Sequence, residues 1–372
     1  AKENLNVYAA AGGYIASIGV RPLSFGRFII INHPNGLSTL YAHLNDFEPA
    51  LEAYVTQQQY QQESWAIELK FSPHQFPVTK GTFIGYSGNT GGSAGPHLHF
   101  EIMDTKTERR LNPLLFGFPL EDKVPPVIKG IALYDRGRSI NGQSPRAVPI
   151  KKTITGYTLA NSDTLTTSLS QIGLAIQATD QVSGSTNPNG IYSATLDVDG
   201  QAVLAFILDS IDYEQTGYIN AHVDYRHKQM GGAYYQHLSM LPGEGGVAYH
   251  PYQSDGVIRL ADTLPHAVAI IVADTYGNQS VLRFQIKTTN PWLGPAANPA
   301  KLPGKEPTHF VPRNPVQLRK SDFQIDFPAM GLYDSLPIFY RRDLFPILPG
   351  AITARHQLND PTIPVHLNFS VR

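Results

Sequence analysis

The sequence has no cysteine among its 372 residues, and its charges nearly balance, with 29 Lys and Arg against 30 Asp and Glu. The absence of cysteine excludes disulfide bonds, thiolate metal ligands and a cysteine nucleophile. The net charge of -1 argues against nucleic acid as the main partner, because phosphate binding needs a surplus of Lys and Arg. No apolar run approaches the ~20 residues that a helix needs to span a bilayer, so we expect no transmembrane segment.

Turn-forming and aromatic residues, by contrast, are abundant. The chain contains 32 Gly, 29 Pro, 19 Tyr and 17 Phe, while only 16% of its residues are charged. This composition is typical of a turn-rich, mostly β protein and not of a helical bundle. At ~150 residues per domain, the length predicts two to three domains.

The first predicted domain covers residues 1–118, where short alternating runs are separated by glycine turns. The His-Pro-Asn-Gly sequence at 33–36 lies between two such runs and predicts a hairpin. Residues 48–62 carry apolar side chains at helical spacing, which predicts one inserted helix. The alternation over 65–71 predicts an added strand after that helix.

The rest of the chain divides into two more predicted domains. Residues 119–290 contain many short alternating runs with turn residues between them, which predicts an antiparallel, immunoglobulin-like β-sandwich without helices. Prolines are frequent over 288–317, so we assign 291–372 to a linker and a small C-terminal β domain. The expected fold class is therefore mostly β, with an antiparallel first domain that carries one inserted helix, followed by sandwich domains.

The motif with the clearest chemistry is a glycine-rich loop that leads into His97, Leu98 and His99. Residues two apart in a strand lie on the same face, so we expect both histidines on one face and Leu98 and Phe100 in the core. Two adjacent imidazoles can bind a metal or transfer protons. Taken alone, the pair is as easily explained by two surface histidines on an edge strand.

A third histidine, His43, lies in the sequence YAHL at 41–44 of the same predicted domain. Together with the stretch VTKGTFIGYSGNTGGSAGPHLHFE and the opening VYAAAGGYIASI, these residues resemble the lysostaphin/LytM-type zinc metallopeptidases, a family of cell-wall endopeptidases. The resemblance covers about residues 1–116 and implies an antiparallel β peptidase domain. Residues 120–372 resemble only the sandwich appendages that accompany such domains in secreted proteins of Bacteroidetes-like organisms.

The resemblance implies a zinc site and a role for each histidine. In that family zinc is held by the His and the Asp of an upstream His-x-x-x-Asp motif and by the second histidine of His-x-His, which is His99 here. His97 and His43 correspond to catalytic groups beside the metal. One of them would accept a proton from water, and the other would stabilise the oxyanion and help to protonate the leaving amine. Which histidine does which stays open.

The upstream metal-binding motif is missing from its expected place, because only six residues precede the strand-like sequence that begins at Val7. His33 lies in the predicted hairpin turn and His74 in an inserted segment, so neither replaces it. Two explanations compete: the motif lies upstream of Ala1, or the protein is a degenerate, non-catalytic relative. We favour the first explanation, because a relative that had lost catalysis would have little reason to keep His43, His97 and His99 together. We expect residues 1–372 alone to bind zinc weakly and to be inactive.

We therefore predict a secreted or periplasmic zinc endopeptidase that acts on peptidoglycan peptides, with a cell-envelope protein as a candidate partner of the β-rich remainder. The alternative is a non-catalytic LytM-like module that binds the cell wall or regulates its hydrolysis. A third hypothesis is a structural surface protein dominated by its sandwiches. His222, Asp224 and His227 have a metal-like spacing, but we interpret them as the solvated face of a sandwich strand.

Overall fold

The structure is a computed structural model that describes residues 2–246, 248–294, 309–343, 354–366 and 369–372. The chain divides into two compact units, residues 1–118 with 209–213 and residues 119–208 with 214–372. Strands dominate both units, which confirms the predicted fold class. No helix among the described residues is long and apolar enough to cross a membrane. Part of the predicted linker, 295–308, lies outside the described residues, and the three domain bounds stay a prediction.

The first unit contains the hairpin, the inserted helix and the added strand that the sequence predicts. Its elements within 1–118 are β1 (Asn6–Tyr8), β2 (Gly13–Val20), β3 (Arg27–Asn32), β4 (Leu37–Ala42), β5 (Leu44–Phe47), α1 (Pro49–Gln61), β6 (Ile67–Lys70), β7 (Pro77–Val78), β8 (Phe83–Ser87), β9 (His99–Asp104), β10 (Arg110–Leu111) and the 3₁₀ turn Pro113–Phe116.

The main sheet of this unit has the strand order β10-β9-β4-β3-β2-β6, and Ser210–Ile211 adds a strand beside β10. A second sheet, β1-β8-β5, and helix α1 cover one of its faces. Alternation along β3 explains this arrangement, because Ile29 and Ile31 enter that core whereas Phe28 packs on the opposite face. Within this sheet, β4 and β9 are neighbouring strands near the centre.

Helix α1 begins where its sequence supplies a cap. The Glu48 carboxylate accepts hydrogen bonds from the N–H groups of Ala50 and Leu51, and Pro49 occupies the first turn. Leu51 and Val55, one turn apart, are buried against the core. The helix is thus anchored by one face.

The second unit contains most of the strands of the chain. The elements from residue 127 onward are β11 (Val127–Asp135), β12 (Arg146–Val148), β13 (Ile150–Thr153), β14 (Gly156–Leu159), β15 (Thr164–Thr167), β16 (Gln171–Thr179), β17 (Ser193–Val198), β18 (Gln201–Ile207), β19 (Ser210–Ile211, part of the first unit), α2 (Ile219–His222), α3 (Tyr225–Gln229), β20 (Gln236–His237), β21 (Tyr249–Pro251), β22 (Ile258–Arg259), β23 (His266–Ala273), β24 (Gln279–Thr288), β25 (His309–Phe310), β26 (Val316–Lys320), β27 (Phe323–Phe327), β28 (Leu336–Pro337), β29 (Tyr340–Asp343), β30 (Arg355–Leu358) and β31 (Ser370–Val371).

Two sheets of the second unit share one hydrophobic core, as in a sandwich. One has the order β12-β11-β16-β20 with β22 beside β16, and the other has the order β13-β14-β24-β23-β17-β18-β21 with β15 beside β24. Their pairs are antiparallel except that β14 and β15 run parallel to β24. The immunoglobulin-like topology stays a prediction, and the expectation of no helices is wrong, because α2 and α3 interrupt the strands.

The interpretation of His222, Asp224 and His227 as a solvated strand face is also wrong. His222 ends α2 and is buried, while Asp224 caps α3 by accepting the N–H of His227 at 2.9 Å. The other carboxylate oxygen of Asp224 accepts the hydroxyl of Tyr134 at 2.7 Å. These groups are therefore structural, and the apparent metal spacing comes from a helix cap.

Burial of His222 predicts a pH-dependent stability of the second unit. Burial lowers the pKa of His222 to about 4, and the neutral ring accepts a hydrogen bond from the Gln236 amide at 2.9 Å. In the unfolded chain the pKa is ~6.5, so the unfolded state binds more protons at mildly acidic pH. We expect the contribution of His222 to the free energy of unfolding to be constant above pH ~6.5 and to fall below it, by about 3 kcal/mol as the pH approaches 4.

Urea unfolding over a series of pH values measures this dependence. A His222→Gln variant should show a flatter pH dependence than wild type, whereas His250→Gln, at an exposed position, should not. An equally steep loss of stability in His222→Gln would contradict the assignment.

Candidate metal and catalytic site

The structure brings His43, His97 and His99 together. His43 follows β4 directly, and His99 begins β9, the neighbouring strand, where it pairs with Ala42. One ring nitrogen of each histidine lies within 4.8 Å of those of the other two. The ring centroids of His43 and His97 are 4.7 Å apart, and those of His43 and His99 are 5.6 Å apart. The roles assigned to the three side chains stay predictions.

One detail of the predicted strand is wrong. Leu98 was expected in the core, but it is 38% exposed. The regular ladder begins only at His99, and His97 forms an isolated bridge with Gly88, so Leu98 lies outside the alternating segment. Phe100 packs against the core as expected.

His43 is held by its backbone and by one ring nitrogen. Its φ of 59° places it in the left-handed region between two strands, and its N–H donates to the Phe25 carbonyl at 3.0 Å. Nδ1 lies 2.7 Å from the Thr90 carbonyl, which can only accept, so Nδ1 carries the proton and Nε2 has a free lone pair. Burial lowers the pKa of His43; the Thr90 carbonyl opposes this, and His97 and His99 lower it further.

His97 is fixed in the same way. Its Nδ1 lies 2.8 Å from the Gly95 carbonyl in its own loop, so Nδ1–H donates and Nε2 is left with the lone pair. The Ser93 hydroxyl lies 3.3 Å from the same nitrogen and donates to the Gly95 carbonyl at 2.7 Å. The loop before β9 therefore orients the ring that follows it.

His99 has the opposite tautomer. Its Nε2 donates to Oε1 of the buried Glu101 at 2.8 Å, which leaves Nδ1 with the lone pair. Burial raises the pKa of Glu101, but the hydrogen bonds from His99, Tyr213 and Arg110 outweigh it and hold the pKa below its usual value. Arg110 Nε donates to Oε2 at 2.9 Å, so the carboxylate is ionised and paired.

Sequence reasoning missed the three residues behind His99, which are Glu101, Arg110 and Tyr213, and Tyr213 is the most distant of them in the chain. Its hydroxyl donates to Glu101, 112 positions away in the chain, and its ring centroid lies 4.0 Å from the Arg110 guanidinium. Burial and the Glu101 hydrogen bond raise the pKa of Tyr213 to about 12, so the hydroxyl remains a donor. Strand β19 brings it there by pairing Ile211 with Arg110. No local pattern around Tyr213 signals this position.

Glycines let the loop before β9 approach the β2–β3 turn closely. Gly26 and Gly91 both have positive φ, and a Cβ on Gly91 would lie 2.3 Å from the Gly26 nitrogen. Between these backbones, Thr90 Oγ1 accepts the Arg27 N–H at 3.0 Å and donates to the Leu44 carbonyl at 2.8 Å. This packing places the Thr90 carbonyl against His43.

The donor set fits a zinc ion. Imidazole nitrogen is an ordinary zinc ligand, and a carboxylate behind the ligating ring, as Glu101 is behind His99, is the usual support. Within the described residues, the histidine cluster includes no carboxylate ligand. A His-x-x-x-Asp spacing does occur at His356 and Asp360 of the second unit, but His356 bonds to the Tyr340 hydroxyl at 2.8 Å and Asp360 accepts two hydrogen bonds from Thr362.

A groove adjoins the site within the first unit. Its volume is about 760 Å³, and its lining includes Ser24, Phe25, Arg110 and Tyr213. The Phe25 ring lies 5.5 Å from the ring of His99, centroid to centroid, so the groove borders the histidine cluster.

Comparison with known proteins gives matches over the first unit. Residues 1–61 and 66–113 match the sequence model of Peptidase family M23. The chain is 36% identical over 101 residues to the DD-carboxypeptidase/endopeptidase Mpg of Neisseria meningitidis serogroup B, covering 27% of this chain and 18% of Mpg. It is 29% identical over 119 residues to the peptidoglycan DD-endopeptidase ShyA of Vibrio cholerae, covering 32% of this chain and 22% of ShyA. The chain thus spans less than a quarter of the length of these curated relatives.

Solved structures resemble the chain only weakly. The catalytic domain of a mutant of the prophage-encoded M23 protein EnpA from Enterococcus faecalis has a TM-score of 0.24 at 18% identity, over 32% of this chain and 74% of that one. Lysostaphin from Staphylococcus simulans has a TM-score of 0.23 at 15% identity, over 51% of this chain and 84% of that one. Over residues 1–61 and 66–113 the chain is therefore similar to Peptidase family M23, and the two curated relatives support a LytM-type peptidase.

Proposed function

We propose that the protein is a zinc-dependent endopeptidase that hydrolyses the peptide stems or cross-links of peptidoglycan outside the cytoplasm. The observation that carries this proposal is the convergence of three imidazoles, each with one nitrogen held by an acceptor so that the other keeps its lone pair. The M23 match and the DD-endopeptidase names of two relatives support the substrate class.

His99 would bind the zinc ion through Nδ1. Its other nitrogen donates to an ionised, buried carboxylate, an arrangement that fixes the ring and makes the free nitrogen a better ligand. When bound, zinc supplies a Lewis acid that polarises a peptide carbonyl and acidifies water. The family resemblance implies two further ligands, a His and an Asp of a His-x-x-x-Asp motif, and the described residues supply no such pair at the histidine cluster.

His43 and His97 would transfer protons and stabilise the negative charge that develops on the substrate carbonyl oxygen. Each presents an Nε2 lone pair while its Nδ1–H is fixed on a carbonyl, so each can accept a proton without turning its ring. In the protonated form, either Nε2–H can donate to an oxyanion or to the leaving amine. The lowered pKa of His43 keeps it neutral at neutral pH, ready to accept a proton.

The groove beside the cluster would hold the substrate. Its volume of about 760 Å³ lies in the usual range of ligand sites, about 300–1,000 Å³, and offers room for an extended peptide. Phe25 borders both the groove and His99, so a peptide lying there would pass the histidine cluster.

A second candidate function is a non-catalytic module that binds peptidoglycan. The observation in its favour is that the described residues give the histidine cluster no carboxylate ligand. Such a module would bind purified cell-wall sacculi without releasing fragments from them.

Substitution of the catalytic candidates distinguishes the two functions. In the mature protein loaded with zinc, we expect His97→Ala and His43→Ala each to lower hydrolysis of purified sacculi by about 10²–10⁴-fold, because a positioned acid or base contributes that much. Zinc content should stay near wild type. The measurement is release of soluble muropeptides, separated by chromatography and identified by mass spectrometry.

His74→Ala serves as the control, because His74 is an exposed histidine of the same unit. Normal hydrolysis by His97→Ala would contradict its catalytic role. Binding of sacculi by the wild-type protein without any release would favour the second candidate.

Measurements of zinc affinity test His99 as a ligand and Glu101 as the carboxylate that supports it. We expect His99→Ala to lose zinc, and Glu101→Gln to bind it about 10–100-fold more weakly, because the amide is a poorer partner for the His99 N–H than an ionised carboxylate. Competition with a chromogenic chelator measures both affinities. Glu63→Gln, at an exposed position, is the matched control. Unchanged zinc affinity in His99→Ala would contradict its role as a ligand.

A further inference from the structure

The second unit contains a cluster of three acidic side chains, Asp122, Asp180 and Asp274, which we call the acidic cluster. One carboxylate oxygen of each lies within 4.8 Å of those of the other two. All three residues are buried, and Asp180 is only 7% exposed. Three carboxylates in such proximity repel one another unless a proton or a cation lies between them.

Three separate chain segments meet at this cluster. Asp180 directly follows β16, and Asp274 directly follows β23, so the acids lie where strands of the two sheets of the sandwich end. Asp122 comes from the segment before β11, and the Asn278 amide links it to Asp274 by donating to the Asp122 backbone carbonyl at 3.2 Å and to the Asp274 carboxylate at 2.7 Å. The cluster thus connects both sheets of the sandwich with the segment that precedes β11.

Two carboxylate oxygens of the cluster accept hydrogen bonds from backbone N–H groups. Oδ1 of Asp122 accepts the N–H groups of Val124 and Ser183, each at 3.0 Å. Oδ1 of Asp274 accepts the N–H groups of Tyr276 and Asn278 at 2.8 and 2.9 Å. These bonds hold the carboxylates in place and explain the turns that the residues form.

Two carboxylate oxygens of the cluster have no hydrogen-bond partner among the described residues. Asp122 Oδ2 and Asp180 Oδ1 are buried and accept no hydrogen bond from any described group. None of the three acids forms an ion pair within the part of the chain that the structure describes, so no cationic side chain compensates them. A buried, unpaired carboxylate oxygen is costly, which indicates that a ligand occupies this position.

We propose that the acidic cluster binds a calcium ion that ties the two sheets of the sandwich together. Calcium prefers carboxylate oxygens, accepts irregular geometry and takes 6–8 oxygen ligands, which leaves places for carbonyls and water. Magnesium demands a near-ideal octahedron and loses its water reluctantly, so it fits less well. Zinc favours nitrogen and sulfur ligands, and the cluster offers neither. This site is independent of the function proposed for the first unit.

Burial raises the pKa of Asp180; the Gln181 N–H opposes this, and Asp274 and Asp122 raise it further. A bound dication would reverse this effect and keep all three groups ionised. The metal-free state therefore carries an electrostatic cost that calcium removes.

Thermal unfolding of the full chain, freed of metal with a chelator, tests the proposal. Calcium added at about a hundredfold excess over its dissociation constant should raise the Tm of the second unit by roughly 5–10 °C. Magnesium at the same concentration should raise it less. Isothermal titration with calcium alone should show one saturable site.

The isosteric variant Asp180→Asn should bind calcium at least about tenfold more weakly, because one of three charged ligands is gone. In the metal-free state its Tm should equal or exceed that of wild type, because a repelling charge is removed. Asp163→Asn, at an exposed position of the same unit, should respond to calcium as wild type does. If Asp180→Asn does not fold, Asp122→Asn takes its place.

Three results would overturn the proposal. The first is no calcium-dependent rise in the wild-type Tm. The second is an equal calcium response in wild type and Asp180→Asn. The third is a magnesium response as large as that of calcium.

Discussion

The hydrogen bond at one nitrogen of each site histidine determines what the other nitrogen can do. A backbone carbonyl accepts the Nδ1–H of His43 and another accepts that of His97, so both rings present Nε2 to the site. The carboxylate of Glu101 accepts from Nε2 of His99, so this ring presents Nδ1 instead. The proposed metal ligand and the two proposed proton carriers can thus lie side by side, because the tautomers are set by acceptors behind the rings.

These acceptors depend in turn on close backbone packing and on one buried charge. The Thr90 carbonyl reaches His43 only because Gly26 and Gly91 let two backbones touch. The Glu101 carboxylate stays ionised in a buried place because Arg110 and Tyr213 donate to it. The geometry of the site therefore depends on residues that position the histidine rings, and on the segment 209–213, which brings Tyr213 to Glu101.

The sequence predicts local features of this fold well and long-range ones poorly. Helix α1 and the hairpin at 33–36 follow from periodicity and turn residues, and the grouping of the histidines follows from a family resemblance. Tyr213 could not be predicted, because its contact with Glu101 depends on strand pairing over a hundred positions away. The solvated strand expected at 222–227 was wrong, because the sequence alone does not show that His222 is buried at the end of one helix and that Asp224 caps the next.

The most direct test of the proposed site is the tautomeric state of the three imidazoles. Long-range ¹H–¹⁵N correlation spectra of the histidine side chains at alkaline pH measure it. Single substitutions assign the signals. We expect the Nδ1–H tautomer for His43 and His97 and the Nε2–H tautomer for His99. A His99 ring that carries its proton on Nδ1 would contradict it, because the nitrogen assigned to the metal would then have no lone pair.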